Sequence, residues 1–411
     1  MKQRKIFYGW WVVLGCILIT MTMVPPIMAL SNKYLIYVTE DLGISRSAFT
    51  LANTVLQALG IFLSPFVTRF LAGGNMRVIQ SVSILGYCAS YFSYSLANSP
   101  IHLYISSLFL GVFYLNATLI PVSMMVTNWF NARRGLAMSL AMAGIGVGGT
   151  LFSPILTFFL ESYGWRASYR LMAGIILVIA LPAALFLLRK RPEDLGLEPL
   201  GGQADTAAKG SRPSGGVAIS VRRSWGKFFF WLLLIGMLTN GLINAGALGH
   251  FPPAMQESHG AAVQAAVISA YSLISIGGKL ILGWINDRFG VVVSTTYACT
   301  LFGLSFVFIL LSGQSVAMLY AMAVVFGLGN AIGTVTPPLL TAEVFGKENY
   351  SKAYGIVNSF TQVGLSLGSL AVASVYDATG TYRFAWVMLL VLTAVTLVSW
   401  VGAVLLARRY R

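Results

Sequence analysis

Twelve apolar stretches, each long enough to cross a bilayer, leave this 411-residue chain very few folds to choose from. A membrane helix needs about 20 apolar residues. The stretches cover roughly 8–32, 46–69, 76–96, 101–127, 135–160, 168–188, 225–252, 261–287, 291–312, 315–341, 352–376 and 382–406. The chain is 57% hydrophobic and only 9% charged, where soluble domains carry about a quarter charged residues. An all-α integral membrane protein of twelve transmembrane helices is therefore expected.

The net charge of +15 would suit a nucleic-acid partner, but its placement argues against one. With both termini cytoplasmic, 21 of the 27 Lys and Arg fall on the inner side, in loops such as Arg133-Arg134, Arg189-Lys190-Arg191 and Arg222-Arg223. Lys33, Arg46, Arg166, Arg170 and Arg383 lie outside, and Lys279 is the remainder. That asymmetry follows the positive-inside rule. Met1–Lys5 and the following apolar run read as a first span, because the run exceeds a signal-peptide core and no small-residue cleavage site closes it. Cys16, Cys88 and Cys299 all lie within spans and imply neither disulfide nor metal framework. No cofactor or metal is expected. Little extramembrane mass and no cleavable leader fit a cell inner membrane.

One hydrophilic segment, 189–224, divides the chain into six-span halves, 1–188 and 225–411. It is rich in Gly, Pro and charge and reads as a cytoplasmic linker. The halves echo one another. A shift of 220 residues carries Gly135, Gly144 and Gly148 onto Gly355, Gly364 and Gly368. Pseudo-symmetric duplication of this kind builds many secondary transporters, with the substrate site near the midplane.

The loop after the eighth span reads Gly283-Trp284-Ile285-Asn286-Asp287-Arg288-Phe289-Gly290. It resembles the Gly-x-x-x-Asp-Arg-x-Gly motif of the major facilitator superfamily, whose Asp and Arg latch the cytoplasmic helix ends. The matching first-half loop, 68–77, is degenerate, with Ala72 near the acid position. Four further segments resemble the monocarboxylate and oxalate/formate porters of that superfamily. They are Tyr8-Gly9-Trp10-Trp11, Trp129-Phe130-Asn131-Ala132-Arg133-Arg134-Gly135, Arg191-Pro192-Glu193-Asp194-Leu195-Gly196-Leu197 and His250-Phe251-Pro252-Pro253. The resemblance covers essentially the whole chain. It implies the major facilitator fold and a substrate-binding cation on the eighth span, usually arginine. Lys279 matches that position. Two departures follow: Ser275 stands where animal carriers place an aspartate, and Thr361 about where the oxalate/formate exchanger has a second lysine. One buried cation points to a monoanion.

Lys279 is the only formal charge deep inside a span. An ammonium at bilayer depth costs several kcal/mol, and such groups usually face a cavity and act there. Lys279 lies about 12 Å of helix rise before Asp287, roughly twice the reach of a snorkelling stem. The competing reading is a structural pairing with a helix carbonyl. Asn116 in the fourth span, Asn330 in the tenth and Asn244 beside Asn240 in the seventh carry amides suited to a substrate carboxylate or hydroxyl, or to interhelical bonds. Tyr114, Tyr34 and Tyr271 are further candidates. His250, near the outer end of the seventh span, titrates near neutrality and is the proton-coupling candidate; the plain alternative is a hydrogen bond at the helix end. The run Gly144-Ile145-Gly146-Val147-Gly148-Gly149 lacks the strand–turn–helix context of a nucleotide loop and reads as close helix packing. Pro25-Pro26 and Pro337-Pro338 are expected to interrupt the first and tenth spans, as gates or as shape.

The expected function is a secondary active transporter of small monocarboxylate anions of the lactate or pyruvate type. It would be proton-coupled and functional as a monomer in the lipid bilayer, working by alternating access. The alternatives are an organic anion exchanger without proton coupling and a non-transporting ligand sensor. No cluster of His, Cys, Asp or Glu supports an enzyme.

Overall fold

A computed structural model describes residues 7–28, 30–201, 219–313 and 315–410. Residues 1–6, 202–218 and 411, with their basic side chains and most of the linker, lie outside the described residues, as do 29, 314 and the Arg46 side chain.

Among the described residues the fold is helical, with one isolated bridge between Phe130 and Leu200. Nine helices among the described residues are long and apolar enough to cross a membrane. Two of them contain a glycine turn that no side chain would favour: Arg134–Leu187 turns at Gly164 (φ 73°, ψ 171°) and Val316–Thr379 at Gly346 (φ 67°, ψ 179°). Positive φ in this range costs a non-glycine residue free energy, and glycine nothing. Gly260 (φ 82°, ψ 166°) separates the seventh span from the eighth in the same way. With both turns counted, and Met76–Ser93 as the third span, the described residues hold the twelve expected helices.

The chain forms two compact units. The first comprises Met1–Arg133 and Leu140–Pro213, the second Arg134–Ser139 and Ser214–Arg411. In the first, the glycine run of the fifth span lies against the first span. A methyl group on Gly144 would strike Thr20 and the Ile17 carbonyl, and one on Gly148 the Met21 carbonyl. Thr20 Oγ1 donates to Ala141 O at 2.6 Å across this crossing. In the second unit Gly364 and Gly368 meet the Leu238 and Leu242 carbonyls of the seventh span equally closely. Small residues let membrane helices approach to backbone contact, where dispersion replaces the hydrophobic drive that lipid does not supply. Gly144 and Gly148 therefore do in one half what Gly364 and Gly368 do in the other.

Three of the segments that carry the resemblance meet at one end of the first unit. The ring of Tyr8 packs on Trp129 at 5.6 Å between centroids, and Trp10 lies edge-on to Phe130 at 5.0 Å. Trp129 Nε1 donates to Arg189 O at 2.8 Å, Leu200 N to Trp129 O at 2.9 Å, and Asn131 N to Leu200 O at 2.9 Å. Residues 189–201, expected as the start of a loose linker, thus hold a defined place. Their composition is polar, yet their backbone groups find partners on 128–132, which composition alone does not reveal. The fourth segment sits in the second unit. There Phe251 is buried among Phe306, Phe326 and Trp386, with centroids 5.0 to 5.8 Å away.

Candidate functional site

Lys279 is 4% exposed, deep in the eighth span, in a helix that crosses the tenth at close range. The crossing is made by two glycines. A methyl group on Gly278 would lie 2.5 Å from the Gly327 carbonyl, and one on Gly327 2.7 Å from Ile274 Cβ. The neighbouring Gly277 has nothing within 4 Å. Lys279 therefore follows directly on a backbone-to-backbone contact, and its helix is held against the tenth span at that level. Ser275, one turn earlier, turns its hydroxyl back to Ser272 O at 2.8 Å.

The tenth span breaks just beyond this crossing. The helix Val316–Gly329 gives way to a 3-10 turn over Asn330–Gly333, and helix resumes at Thr336 ahead of Pro337-Pro338. Proline disfavours helical backbone in the residue before it and lacks the amide that would continue the ladder. The expected interruption is thus present, and it places Asn330 at the end of the broken half-helix. A broken membrane helix frees backbone polar groups that only a cavity or protein can satisfy. Gly333 in the break lies against Asn244 of the seventh span, so closely that a methyl group there would sit 2.6 Å from Asn244 Oδ1.

Asn244 spends its amide on its own helix, donating to Asn240 O at 2.9 Å and Asn240 Oδ1 at 3.0 Å. The donor left without a partner is Asn240 Nδ2, on a residue 1% exposed. Lys279, Asn330, Asn240 and Asn244 therefore belong to three adjoining spans of the second unit. His250 stands two turns beyond Asn244, where its Nε2 lies 2.9 Å from Ser369 O and 3.1 Å from Ser369 Oγ. A carbonyl can only accept, so Nε2 carries the proton and Nδ1, buried without a partner, is the basic nitrogen.

At the end of the eighth span Asp287 accepts from two backbone amides, Gly135 N at 2.6 Å and Leu136 N at 2.8 Å. These are first-turn donors of a helix, which have no partner within it and carry partial positive charge. A methyl group on Gly135 would meet Asp287 and the Gly283 carbonyl. Arg288 lies over the rings of Trp284 and Phe289, at 5.5 and 5.6 Å.

The first unit holds Asn116 and Tyr114. The fourth span also breaks, at Thr118 (φ −107°, ψ −115°), between helices Pro100–Ala117 and Leu119–Trp129. Asn116 is at the end of the first piece; its Nδ2 donates to Val112 O at 2.9 Å, and its Oδ1 is buried without a partner. Asn116 and Asn330 thus occupy the same kind of place, a helix break in the fourth span of each half. Pro121, three residues on, is the sequence signal for the break at Thr118: it has no amide to donate to the Ala117 carbonyl one turn back.

Tyr34, a sequence candidate, belongs to a tyrosine cluster whose other members are not among the candidates. Tyr34 stacks on Tyr169 at 3.9 Å, and Tyr91 and Tyr94 pack on the same ring at 5.0 and 5.2 Å. Tyr87, Tyr91 and Tyr94 fall at helical spacing on one face of the third span, a signal that was present. With Pro26, Phe49 and Asn53, the rings of Tyr91, Tyr94 and Tyr169 wall a cavity of about 20 Å³, room for about one water and too little for an organic acid. Among the described residues no three His, Cys, Asp or Glu side chains converge as a metal site would require.

The profile of the Major Facilitator Superfamily matches residues 10–299 and 233–411. Over its length the chain is similar to monocarboxylate transporter 12 of Mus musculus, 22% identical over 93% of this chain and 82% of that one. It is also similar to monocarboxylate transporter 4 of Rattus norvegicus, 25% identical over 93% and 80%, and to monocarboxylate transporter 11 of Homo sapiens, 27% identical over 80% and 63%. Its fold superposes on the crystal structure of the human organic anion transporter MFSD10 (TETRAN) with a TM-score of 0.69, covering 95% and 98% of the two chains at 15% identity. The chain is an integral membrane transporter, not an enzyme, and it belongs to the major facilitator superfamily.

Proposed function

We propose that the chain carries small monocarboxylate anions, coupled to protons, by alternating access of two six-helix bundles. The bundles are residues 1–188 and 225–411, joined by the linker 189–224. The observation that carries this reading is Lys279: an ammonium 4% exposed in an apolar span, seated beside the glycine crossing and the broken tenth helix. In low dielectric a carboxylate near such a charge is held far more strongly than in water. Its negative charge offsets the cost of keeping the ammonium in the membrane. The relatives' names, monocarboxylate transporters, support the substrate class.

In this reading Lys279 attracts the carboxylate. Asn330 and Asn244 are the polar candidates in the same unit, and Asn116 and Tyr114 those of the first unit, suited by their donors and acceptors to the substrate's remaining polar atoms. A single lysine selects a monoanion and, as a point charge with rotatable donors, tolerates varied carboxylate geometry. The proton rides on His250, on Lys279 or on the acid itself. Asp287 and Arg288 serve as the helix-end latch, with Asp287 as its hydrogen-bonding member. The distribution of Lys and Arg supports cytoplasmic termini; a cell inner membrane and a monomeric working unit complete the reading.

The test uses proteoliposomes and a panel of lactate, pyruvate, formate, acetate, oxalate and aromatic acids. Lys279→Ala should abolish saturable binding and flux of the monocarboxylates, while Lys279→Arg retains binding with altered selectivity. Undiminished carboxylate flux in Lys279→Ala would overturn the assignment. Counterflow without a pH gradient, with no stimulation by one, would replace proton coupling by anion exchange.

A further inference from the structure

A second cationic site lies in the first unit, away from the residues assigned above. Arg77, Arg189, Lys190 and Arg191 line a cleft of about 390 Å³ together with Asn75 and the single acid Asp194. Its walls come from the turn between the second and third spans and from the chain leaving the sixth.

The cleft is built, not merely a crowd of surface charge. Asn128 Nδ2 and Trp129 Nε1 donate to the carbonyls of Lys190 and Arg189 at 3.1 and 2.8 Å, fixing that backbone. Lys190 Nζ donates to Ala72 O and, at 3.1 Å, to Gly74 O, which ties the two walls together. Asn75 caps the third span, its Oδ1 accepting from Arg77 N at 3.2 Å, so this helix points its positive end at the cleft. Asp194 has one oxygen taken up by Arg191 N at 3.1 Å. Burial, then the neighbouring Arg191, pulls the Lys190 ammonium below its ordinary value, as expected where like charges are gathered.

Each wall is also flanked by exposed apolar side chains on the adjoining span. Phe70 precedes the turn, Val78 follows Arg77, and Phe186 precedes Arg189, with exposures of 60%, 54% and 70%. A soluble anion has no use for such a rim, whereas a lipid presents acyl chains directly beneath its phosphate.

We propose that this cleft seats the phosphodiester headgroup of an anionic membrane lipid, with its acyl chains along Phe70, Val78 and Phe186. The guanidinium groups of Arg77 and Arg189 hold the phosphate oxygens, since arginine offers a planar pair of donors matched to them. Arg191 at the exposed lip supplies long-range attraction.

The full chain, purified in neutral detergent, is titrated with dioleoylphosphatidylglycerol, and bound lipid is counted by native mass spectrometry. Dioleoylphosphatidylcholine and inorganic phosphate serve as comparisons. Phosphatidylglycerol should bind in preference to phosphatidylcholine and weaken as salt rises. Loss of two cations in Arg77→Gln/Arg189→Gln should reduce its affinity on the order of 30-fold, and Arg191→Gln alone about five-fold. The single variant and the salt series on unaltered protein carry the test if the double variant does not fold. Unchanged affinity in Arg191→Gln, equal binding of phosphatidylcholine, or displacement of the lipid by inorganic phosphate at equal concentration would each overturn the proposal.

Discussion

Asp287 Oδ1 accepts the amide proton of Gly135 at 2.6 Å while its second oxygen takes that of Leu136, closing the first turn of the fifth span from a residue 152 positions beyond Gly135 in sequence. A carboxylate there serves as a cap and as a charge facing the positive end of a helix. Asp287→Asn keeps one acceptor and loses the charge, and should lower stability by about 1 kcal/mol. Gly135→Ala should do more damage, because its methyl group has no space beside the Gly283 carbonyl. Thermal unfolding in detergent checks both; equal melting of Asp287→Asn and the unaltered protein would remove the latch.

Adjacent glycines in the eighth span should behave oppositely. Gly278→Ala forces a methyl group against the Gly327 carbonyl and the Leu328 backbone, so the helix carrying Lys279 must move away from the tenth span. Gly277→Ala meets nothing within 4 Å and should be neutral or more stable, by up to about 1 kcal/mol. The expected pattern is impaired carboxylate binding in Gly278→Ala with normal binding in Gly277→Ala. Calorimetric titration of both distinguishes this from a general intolerance of side chains in the span.

Much of this was legible in advance, and the reason is physical. Lipid forces apolar runs of fixed length, so the spans could be counted, and a charge inside one of them stands out, as Lys279 does. The repeated glycines were readable because only close packing or special backbone demands them so regularly. The break at Asn330 is announced by Pro337-Pro338, and the matching break at Thr118 by Pro121 alone, a single proline that stands out less than a pair. Tyr169 gathers rings from two other segments, and no local pattern joins Tyr34 to it. The docking of Leu200 on Trp129 was hidden for a similar reason: it is made by backbone groups, which every residue has.

The Asp41–Arg166 pair gives a pH signature. Asp41 lies in the short helix Leu35–Leu42 beyond the first span, hydrogen-bonded to the Arg166 guanidinium and to Trp165 Nε1. The Arg166 hydrogen bond holds its carboxyl below the usual carboxylate range. A depressed value means that the stabilisation is full above the unfolded value and is lost as pH falls through the folded one. Asp41→Asn should therefore melt earlier than the unaltered protein at pH 7, with the gap closing as pH drops below about 4. The pair is solvent-exposed, so the gap should also shrink in high salt. A difference independent of both pH and salt would assign the effect to packing instead.

His250 separates coupling from carriage. Its Nε2–H is spent on Ser369, so any proton it gains arrives at Nδ1. The ring lies 5.7 Å from that of Tyr382, close to the end of the span. Glutamine reproduces the Nε2 donor and cannot titrate. If His250 carries the coupled proton, His250→Gln should retain counterflow of labelled substrate between equal pools while losing the stimulation of uptake by an inward proton gradient. His250→Ala, which also abandons Ser369, should lose stability as well. Gradient-driven uptake surviving intact in His250→Gln would move the proton to Lys279 or to the acid. The pH dependence of uptake in Lys279→Arg then decides between those two, because an arginine stays charged throughout the accessible range.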